Sequence, residues 1–159
     1  MSNRGWKLGI SPFLILLLIW GCSDQPPTPE QQLRALIAEA ETHLEARDLS
    51  AAMAFVDPAY RDSHGRDYRQ LRAMLAGYFL RHGSIHILSR IKHIEIKTTG
   101  DAQVLVYAGL AGSPEEAAKP LSQWRGDLLR LQFHFVGDEG EWLLKGVEWR
   151  RVRPEDFIL

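Results

Sequence analysis

The chain has 159 residues, with 19 Lys or Arg against 20 Asp or Glu, so its formal net charge is −1. This length supports one domain with a substantial core rather than two. The slightly acidic balance excludes a nucleic-acid-binding protein, because such a protein needs an excess of positive charge on its contact surface. The single cysteine cannot form an intramolecular disulfide, so the fold must be stable without one.

The first residues are typical of an export signal. Arg4 and Lys7 precede an apolar run over residues 10–20, which is followed by Gly21 and Cys22. A membrane-spanning helix needs about 20 apolar residues, and this run is about half that length. An ordinary secreted protein has a similar leader, but a lone cysteine directly after it favours lipidation.

The segment around Cys22 resembles the lipobox of bacterial lipoproteins, although Trp20 is bulkier than the residues usual at its position. The resemblance implies that residues 1–21 are removed as a signal peptide. It also implies that the Cys22 thiol and the new amino terminus are acylated, for example with palmitate, which gives a stable membrane anchor. Ser23 stands where aspartate signals retention in the inner membrane, so the expected location is the outer membrane, facing the periplasm.

Residues 22–28 are polar and rich in proline, and we expect them to form a lipidated, semi-rigid tether. The folded domain is predicted to span residues 29–159. Its first helix is expected to begin after Thr28, because Pro29 suits the first helical position and Gln31 completes a capping box.

Two more helices are predicted before the sequence pattern changes. Asp48 is expected to cap a short helix that ends at Asp57, and a third helix is expected from Asp67 to Gly83. From Ser84 onward, apolar residues alternate, and four strand candidates follow without a helix long enough for a parallel crossover. The sequence therefore predicts an α+β fold in which three N-terminal helices pack on a curved four-stranded antiparallel sheet.

A hairpin turn is predicted at residues 137–140, which places Phe135 opposite Trp142. If the last two strands paired without interruption, a core residue would lie opposite a carboxylate. One extra residue, a glycine bulge, is therefore expected at residues 145–146. A similar bulge is expected near residues 92–93, because it lets the apolar residues on both sides of it face the core in the first strand. The expected pairs beyond the glycine bulge are Leu131 with Val147, Leu129 with Trp149, and Arg130 with Glu148.

Five short segments carry a family resemblance. They are Ala46-Arg47-Asp48-Leu49, Asp57-Pro58-Ala59-Tyr60-Arg61-Asp62, Leu75-Ala76-Gly77-Tyr78-Phe79, and Gly140-Glu141-Trp142 with Glu148-Trp149. On these segments the chain is similar to the nuclear transport factor 2-like superfamily, which includes SnoaL-like domains and has a cystatin-like cone fold. The similarity extends from about Glu30 to Arg153. It implies a cone in which the sheet wraps the helices and leaves a cavity that relatives use for ligands or for catalysis.

Enzymes of this superfamily, such as isomerases and dehydratases, depend on an aspartate or histidine that faces the cavity. The weak candidates here are Asp62, His64, His82 and His86. Each also has a structural interpretation, as a turn residue, a residue at a helix C-terminus, or a residue on a polar sheet face. The last two strands direct only apolar side chains toward the core, which argues against an enzyme. The spacings match no metal-ligand pattern and no cofactor motif.

The leading hypothesis is a non-catalytic, membrane-anchored module that binds a small apolar ligand or a protein partner. Five aromatic residues are predicted to line its pocket: Tyr60, Tyr78, Phe79, Trp124 and Trp149. Core packing alone explains these residues equally well. Two alternatives stay open: a SnoaL-like enzyme that uses His86 or Asp62 as its base, and an envelope interaction protein that forms a homodimer or a partner complex through its outer sheet face. The outer-face residues are Arg130, Gln132, His134 and Glu148.

Overall fold

A computed structural model describes residues 26–98, 100–138 and 141–158. The predicted signal peptide, the lipidation site at Cys22 and residues 23–25 of the tether lie outside the described residues. Within the described ranges, three helices precede a four-stranded antiparallel sheet, which confirms the predicted α+β class. In that part of the chain, no helix is long and apolar enough to cross a bilayer.

The first half of the domain consists of α1 (Pro29–Glu45), α2 (Leu49–Ala54) and α3 (Tyr68–Arg81). The predicted caps are confirmed. Thr28 and Gln31 form the capping box of α1, Asp48 caps α2, and Asp67 and Gln70 form the capping box of α3. Each cap supplies partners for backbone amides that a helix start leaves without any, so neighbouring residues determine where these helices begin.

The sheet consists of β1 (His86–Thr98), β2 (Asp101–Ala111), β3 (Asp127–Asp138) and β4 (Glu141–Arg151), in that spatial order. All neighbouring strands pair antiparallel. The register between β1 and β2 shifts between Ile91 and His93, which confirms the predicted bulge. Because the extra residue resets the alternation, both Ile91 and Ile94 pack against the core.

The β3–β4 hairpin contains the predicted glycine bulge. Pairing steps from His134 with Gly146 to Phe135 with Leu144, so Lys145 is the extra residue. The bulge keeps large apolar side chains of β4 on the inner face on both sides of the irregularity.

The predicted register of this hairpin was wrong by two residues. The strands close with Asp138 opposite Glu141, so Trp142 pairs with Gly137 instead of Phe135. The observed pairs farther along are Leu131 with Trp149, Leu129 with Arg151, Arg130 with Arg150, and Gln132 with Glu148. Side chains alternate with a period of two, so both registers bury the same faces and the apolar pattern could not distinguish them.

The main core lies between α1 and the inner face of the sheet. Its buried members include Leu33, Ile37, Val104, Val106, Phe135 and Trp142. The indole of Trp142 donates a hydrogen bond to Gln32 Oε1 at 3.1 Å, so the polar atom of this buried ring has a partner on α1.

A second, smaller core covers part of the outer face of the sheet. It involves the connection between β2 and β3, which contains α4 (Pro114–Ala117) and a 3-10 turn (Leu121–Gln123), and the C-terminal α5 (Pro154–Ile158). Trp124, Leu128 and Phe157 are buried there, and the Phe157 ring contacts the Tyr107 ring at 5.8 Å. The excursion between β2 and β3 was predicted, whereas the C-terminal helix was not.

Candidate functional site

A cavity of about 390 Å³ lies between the inner face of the sheet and the helices. Its walls are almost entirely apolar. The strands contribute Val106, Leu129, Leu131, Phe133, Leu144, Val147 and Trp149, and the helices and the segment after α2 contribute Leu36, Ile37, Ala40, Leu44, Phe55 and Leu75. Pockets for small ligands are typically about 300–1,000 Å³ and predominantly apolar, so this cavity has the size and character of a ligand site.

The cavity exists because the helices do not cover the whole inner face. α1 packs against β1 and β4, whereas α3 packs against α2 and shares a small hydrophobic cluster with β4. The segment after α2 instead runs along the edge of β4. Its backbone amides donate from Asp57 to the Leu144 carbonyl, from Arg61 to the Lys145 carbonyl and from Ser63 to the Val147 carbonyl, each at 3.0 Å. This segment brings Tyr60 and Asp62 to the cavity wall.

Many large apolar side chains of the wall are only half-buried. They include Leu129, Leu131, Phe133, Leu144, Val147 and Trp149, all on the inner face of β3 or β4. In contrast, Val104 and Val106 on β2 are essentially inaccessible. Because the half-buried residues face inward, their accessible surface borders the cavity, where a ligand could cover it.

Asp62 is a buried carboxylate in the cavity wall, and its oxygens are occupied. Oδ1 accepts hydrogen bonds from the backbone amides of His64 and Arg66, both at 2.9 Å, and Oδ2 accepts from Arg66 Nε at 2.6 Å. Burial raises the pKa of Asp62, but the hydrogen bonds from Arg66 and His64 outweigh burial, so the pKa lies below its ordinary value. Asp62 is therefore ionised at neutral pH and is a poor proton acceptor.

The hydroxyl group of Tyr60 is buried in the same wall. Tyr60 is 1% exposed, and its hydroxyl oxygen has no hydrogen-bond partner among the described residues. Burial, assisted by the Asp62 carboxylate, raises the pKa of Tyr60 far above its ordinary value, and Arg66 offsets this only in part. Tyr60 consequently remains a protonated hydrogen-bond donor at any physiological pH.

Three further charged residues line the cavity: Glu41 on α1, Asp127 at the start of β3 and Arg151 at the end of β4. Asp127 and Arg151 form an ion pair at 3.1 Å, and their side chains are 44% and 76% exposed, which places them at the rim. None of these three residues was predicted from the sequence to line the cavity. The alternation that directs Leu129 and Trp149 inward also directs Asp127 and Arg151 inward, and this signal was available in the sequence.

The structure revises the predicted aromatic lining. Tyr60 and Trp149 line the cavity, whereas Tyr78, Phe79 and Trp124 do not. The Tyr78 ring lies against His82 at 4.2 Å between ring centroids, and Phe79 is buried outside the wall. Trp124 belongs to the outer core, because it lies in the connection that folds over the outer face of the sheet. Helical and strand periodicity identified buried aromatics, but it could not tell which of them border the cavity.

The histidine candidates do not meet Asp62 inside the cavity. His82 ends α3 against Tyr78, and His86 begins β1 with a buried Nε2 that has no partner among the described residues. His64 contacts the outside of Trp149 at 4.9 Å and lies 3.3 Å from Ser63 Oγ through Nδ1. None of the three histidines is part of the cavity lining. Of the predicted catalytic candidates, the cavity wall therefore contains Asp62 alone.

Comparison with known proteins identifies the fold. No protein-family model and no curated protein matches the chain. Among solved structures, the chain is similar to Bd1075 of Bdellovibrio bacteriovorus, with a TM-score of 0.63 and 10% identity over 77% of this chain, and it spans 41% of that longer protein.

Two further similar structures come from NTF2-like and dehydratase-type proteins. One is a candidate dehydratase of the NTF2-like family from Streptomyces avermitilis, with a TM-score of 0.61, 17% identity, and coverage of 80% of this chain and 99% of that one. The other is a candidate scytalone dehydratase from Novosphingobium aromaticivorans, with a TM-score of 0.58, 15% identity, and coverage of 77% and 83%. At these identities the similarity shows the fold alone, which is the NTF2-like cone.

Proposed function

We propose that the protein is a non-catalytic binding module that holds a small apolar ligand in the cavity of its cone. The observation that supports this function is the half-buried apolar wall around a space of about 390 Å³. Burial of apolar surface contributes roughly 25 cal/mol per Å², so a ligand that covers these side chains gains affinity without a new polar contact. A packed core would leave no such surface.

The chemistry of the wall supports binding over catalysis. A general base needs a free lone pair and a pKa near the operating pH. The pKa of Asp62 lies below its ordinary value instead, because Arg66 and His64 donate three hydrogen bonds to its oxygens. His86, the other proposed base, lies outside the cavity wall.

We further propose that the module is tethered to a membrane through Cys22, as the outer-membrane lipoprotein that the leader predicts. The support is the sequence of the leader and the short distance in sequence from Cys22 to the cap of α1 at Thr28. Mass spectrometry of the mature protein should find acyl chains on an amino-terminal Cys22. A Cys22→Ser variant should lose them and leave the membrane fraction; a wild-type chain that retains residues 1–21 or has an unmodified thiol contradicts the anchor.

Binding can be tested with a neutral probe, naphthylmethanol, measured by calorimetry on the full chain in phosphatidylcholine nanodiscs with empty discs subtracted. Ala40→Phe places a ring into the cavity from α1, so we expect it to weaken probe binding at least about tenfold, equivalent to 1.4 kcal/mol. Ala35→Phe adds the same ring to an exposed position of α1 and should leave binding unchanged. Equal binding by both variants, each verified as folded by circular dichroism, contradicts the proposed site.

A further inference from the structure

The carboxylates that line the cavity are not all paired with a cation. Asp62 pairs with Arg66 at 2.6 Å, and Asp127 pairs with Arg151 at 3.1 Å. Glu41 also lines the cavity. Among the described residues, no cationic nitrogen lies within 4.0 Å of its carboxylate oxygens. The lining therefore carries one unmatched negative charge.

Glu41 lies on the face of α1 that borders the cavity. Its neighbours on that face, Ile37 and Leu44, are apolar lining residues, and Glu41 itself is half-buried. One turn later, Glu45 Oε1 accepts a hydrogen bond from the Ile87 amide at 2.7 Å, which holds this end of α1 against β1. A carboxylate that is partly removed from water interacts more strongly with a nearby cation than one in open solvent.

The sheet register places a second lining carboxylate, Asp127, in the row of Ile87, which the end of α1 contacts. Ile87 pairs with Leu110, and Leu110 pairs with Asp127, so these three residues form one row across the inner face. Arg151 neutralises Asp127 in a solvent-exposed pair, and such pairs hold their partners weakly. Because the charges of Asp127 and Arg151 cancel, the unmatched charge of the lining is that of Glu41.

Aromatic rings also contribute to the wall of this cavity. The lining contains Phe55, Phe133, Phe135 and Trp149. Aromatic faces attract cations, and Trp149 already has the Arg66 guanidinium over its ring at 5.6 Å. An apolar cavity with aromatic walls and an unmatched carboxylate is complementary to an organic ammonium ion.

We propose that the ligand of this cavity is an organic amine with an aromatic or aliphatic body, whose ammonium group is held at the rim by Glu41. This inference rests on the proposed binding function and adds the charge of the ligand. The apolar body fills the cavity, and the ammonium group supplies the cation that Glu41 lacks.

The test compares three probes that share a naphthyl body: naphthylmethylammonium, naphthylmethanol and naphthoate. Calorimetry on the full chain in phosphatidylcholine nanodiscs, at neutral pH and low salt, should show the ammonium probe binding about tenfold more tightly than the alcohol. Glu41→Gln should remove this advantage, because it should weaken binding of the ammonium probe far more than binding of the alcohol. The matched control is Glu39→Gln on the same helix, where the side chain is 63% exposed, and it should alter neither affinity.

The possible results distinguish a failure of this inference from a failure of the proposed binding function. Equal affinity for ammonium and alcohol overturns the amine assignment and leaves the apolar site intact. Tightest binding of naphthoate overturns it in favour of Arg151 as the dominant charge. An ammonium preference that survives Glu41→Gln also overturns it. Failure of every probe to bind removes the proposed function itself.

Discussion

The carboxylate of Asp62 stabilises the loop that closes one side of the cavity. It accepts two backbone amides and the guanidinium of Arg66, and that guanidinium in turn lies over the Trp149 ring. Hydrogen bonds to a charged, buried group contribute more than neutral ones. This one side chain thus connects the loop, through Arg66, to the wall residue Trp149.

Replacing Asp62 with Asn keeps the shape of the side chain and removes its charge. We expect the free energy of unfolding at neutral pH to fall by about 1–3 kcal/mol. The folded-state pKa of Asp62 lies below its ordinary value, so the carboxylate stabilises the fold above that ordinary pKa. Its contribution is lost as the pH falls through the folded-state pKa. Chemical denaturation from neutral pH down to about pH 3 should therefore show the gap between the two proteins narrowing.

A suitable control for this measurement is Glu95→Gln, which removes a carboxylate from an exposed position on β1. Its stability should follow that of the wild-type protein at every pH. A gap between Asp62→Asn and the wild-type protein that stays constant down to the acid limit contradicts the assigned pKa direction.

At the scale of elements, the segment after α2 acts as an irregular extra strand beside β4. Its hydrogen bonds to the carbonyls of Leu144, Lys145 and Val147 occupy the edge of the sheet, which would otherwise be open to pairing with another chain. The close approach depends on Gly146, because a Cβ atom there would lie 2.6 Å from the Arg61 carbonyl oxygen. The glycine in the β4 bulge therefore allows the segment that forms part of the cavity wall to approach the sheet.

Gly146→Ala should displace the segment that carries Tyr60 and Asp62. We expect a loss of about 2–3 kcal/mol in the free energy of unfolding, typical of a backbone clash at a buried position. Gly77→Ala serves as the control, because its Cβ would meet only the flexible end of Arg81 at 3.3 Å. That change should be neutral or should stabilise α3 by up to about 1 kcal/mol. Thermal unfolding of both variants distinguishes them, and equal stability contradicts the close contact.

At the scale of the whole molecule, the outer sheet face carries a basic row. Arg90 pairs with Tyr107, Tyr107 with Arg130, and Arg130 with Arg150, so three arginines cross the sheet on one face. Lys92 lies over the Tyr107 ring at 5.8 Å and adds a further positive charge. Among the described residues, none of these four cations has a carboxylate within ion-pair distance.

This row bears on the homodimer, which is one of the alternatives left open for the outer face. Two copies that meet through this face would bring their arginine rows near each other, so we expect self-association to be weak at low ionic strength and stronger with added salt. Sedimentation velocity of the full chain in nanodiscs, at several protein and salt concentrations, measures this. A dimer that is tight at low salt and dissociates when salt is added contradicts this expectation.

Local features of this fold could be predicted because neighbouring residues specify them. The capping side chains of Thr28, Asp48 and Asp67 bond to amides within the same turn, and the bulge at Gly146 follows from the phase of one strand. The hairpin register was missed because a two-residue shift leaves every side chain on the same face.

The cavity could not be located in this way. Burial and alternation indicated which side chains of β3 and β4 point inward, but not that a space remains between these strands and the helices. Asp62, Trp149, Glu41 and Asp127 all line that space, although they are far apart in the chain. Short-range hydrogen bonding and side-chain periodicity are properties of local sequence, whereas the fit between helices and sheet depends on the packing of the whole domain.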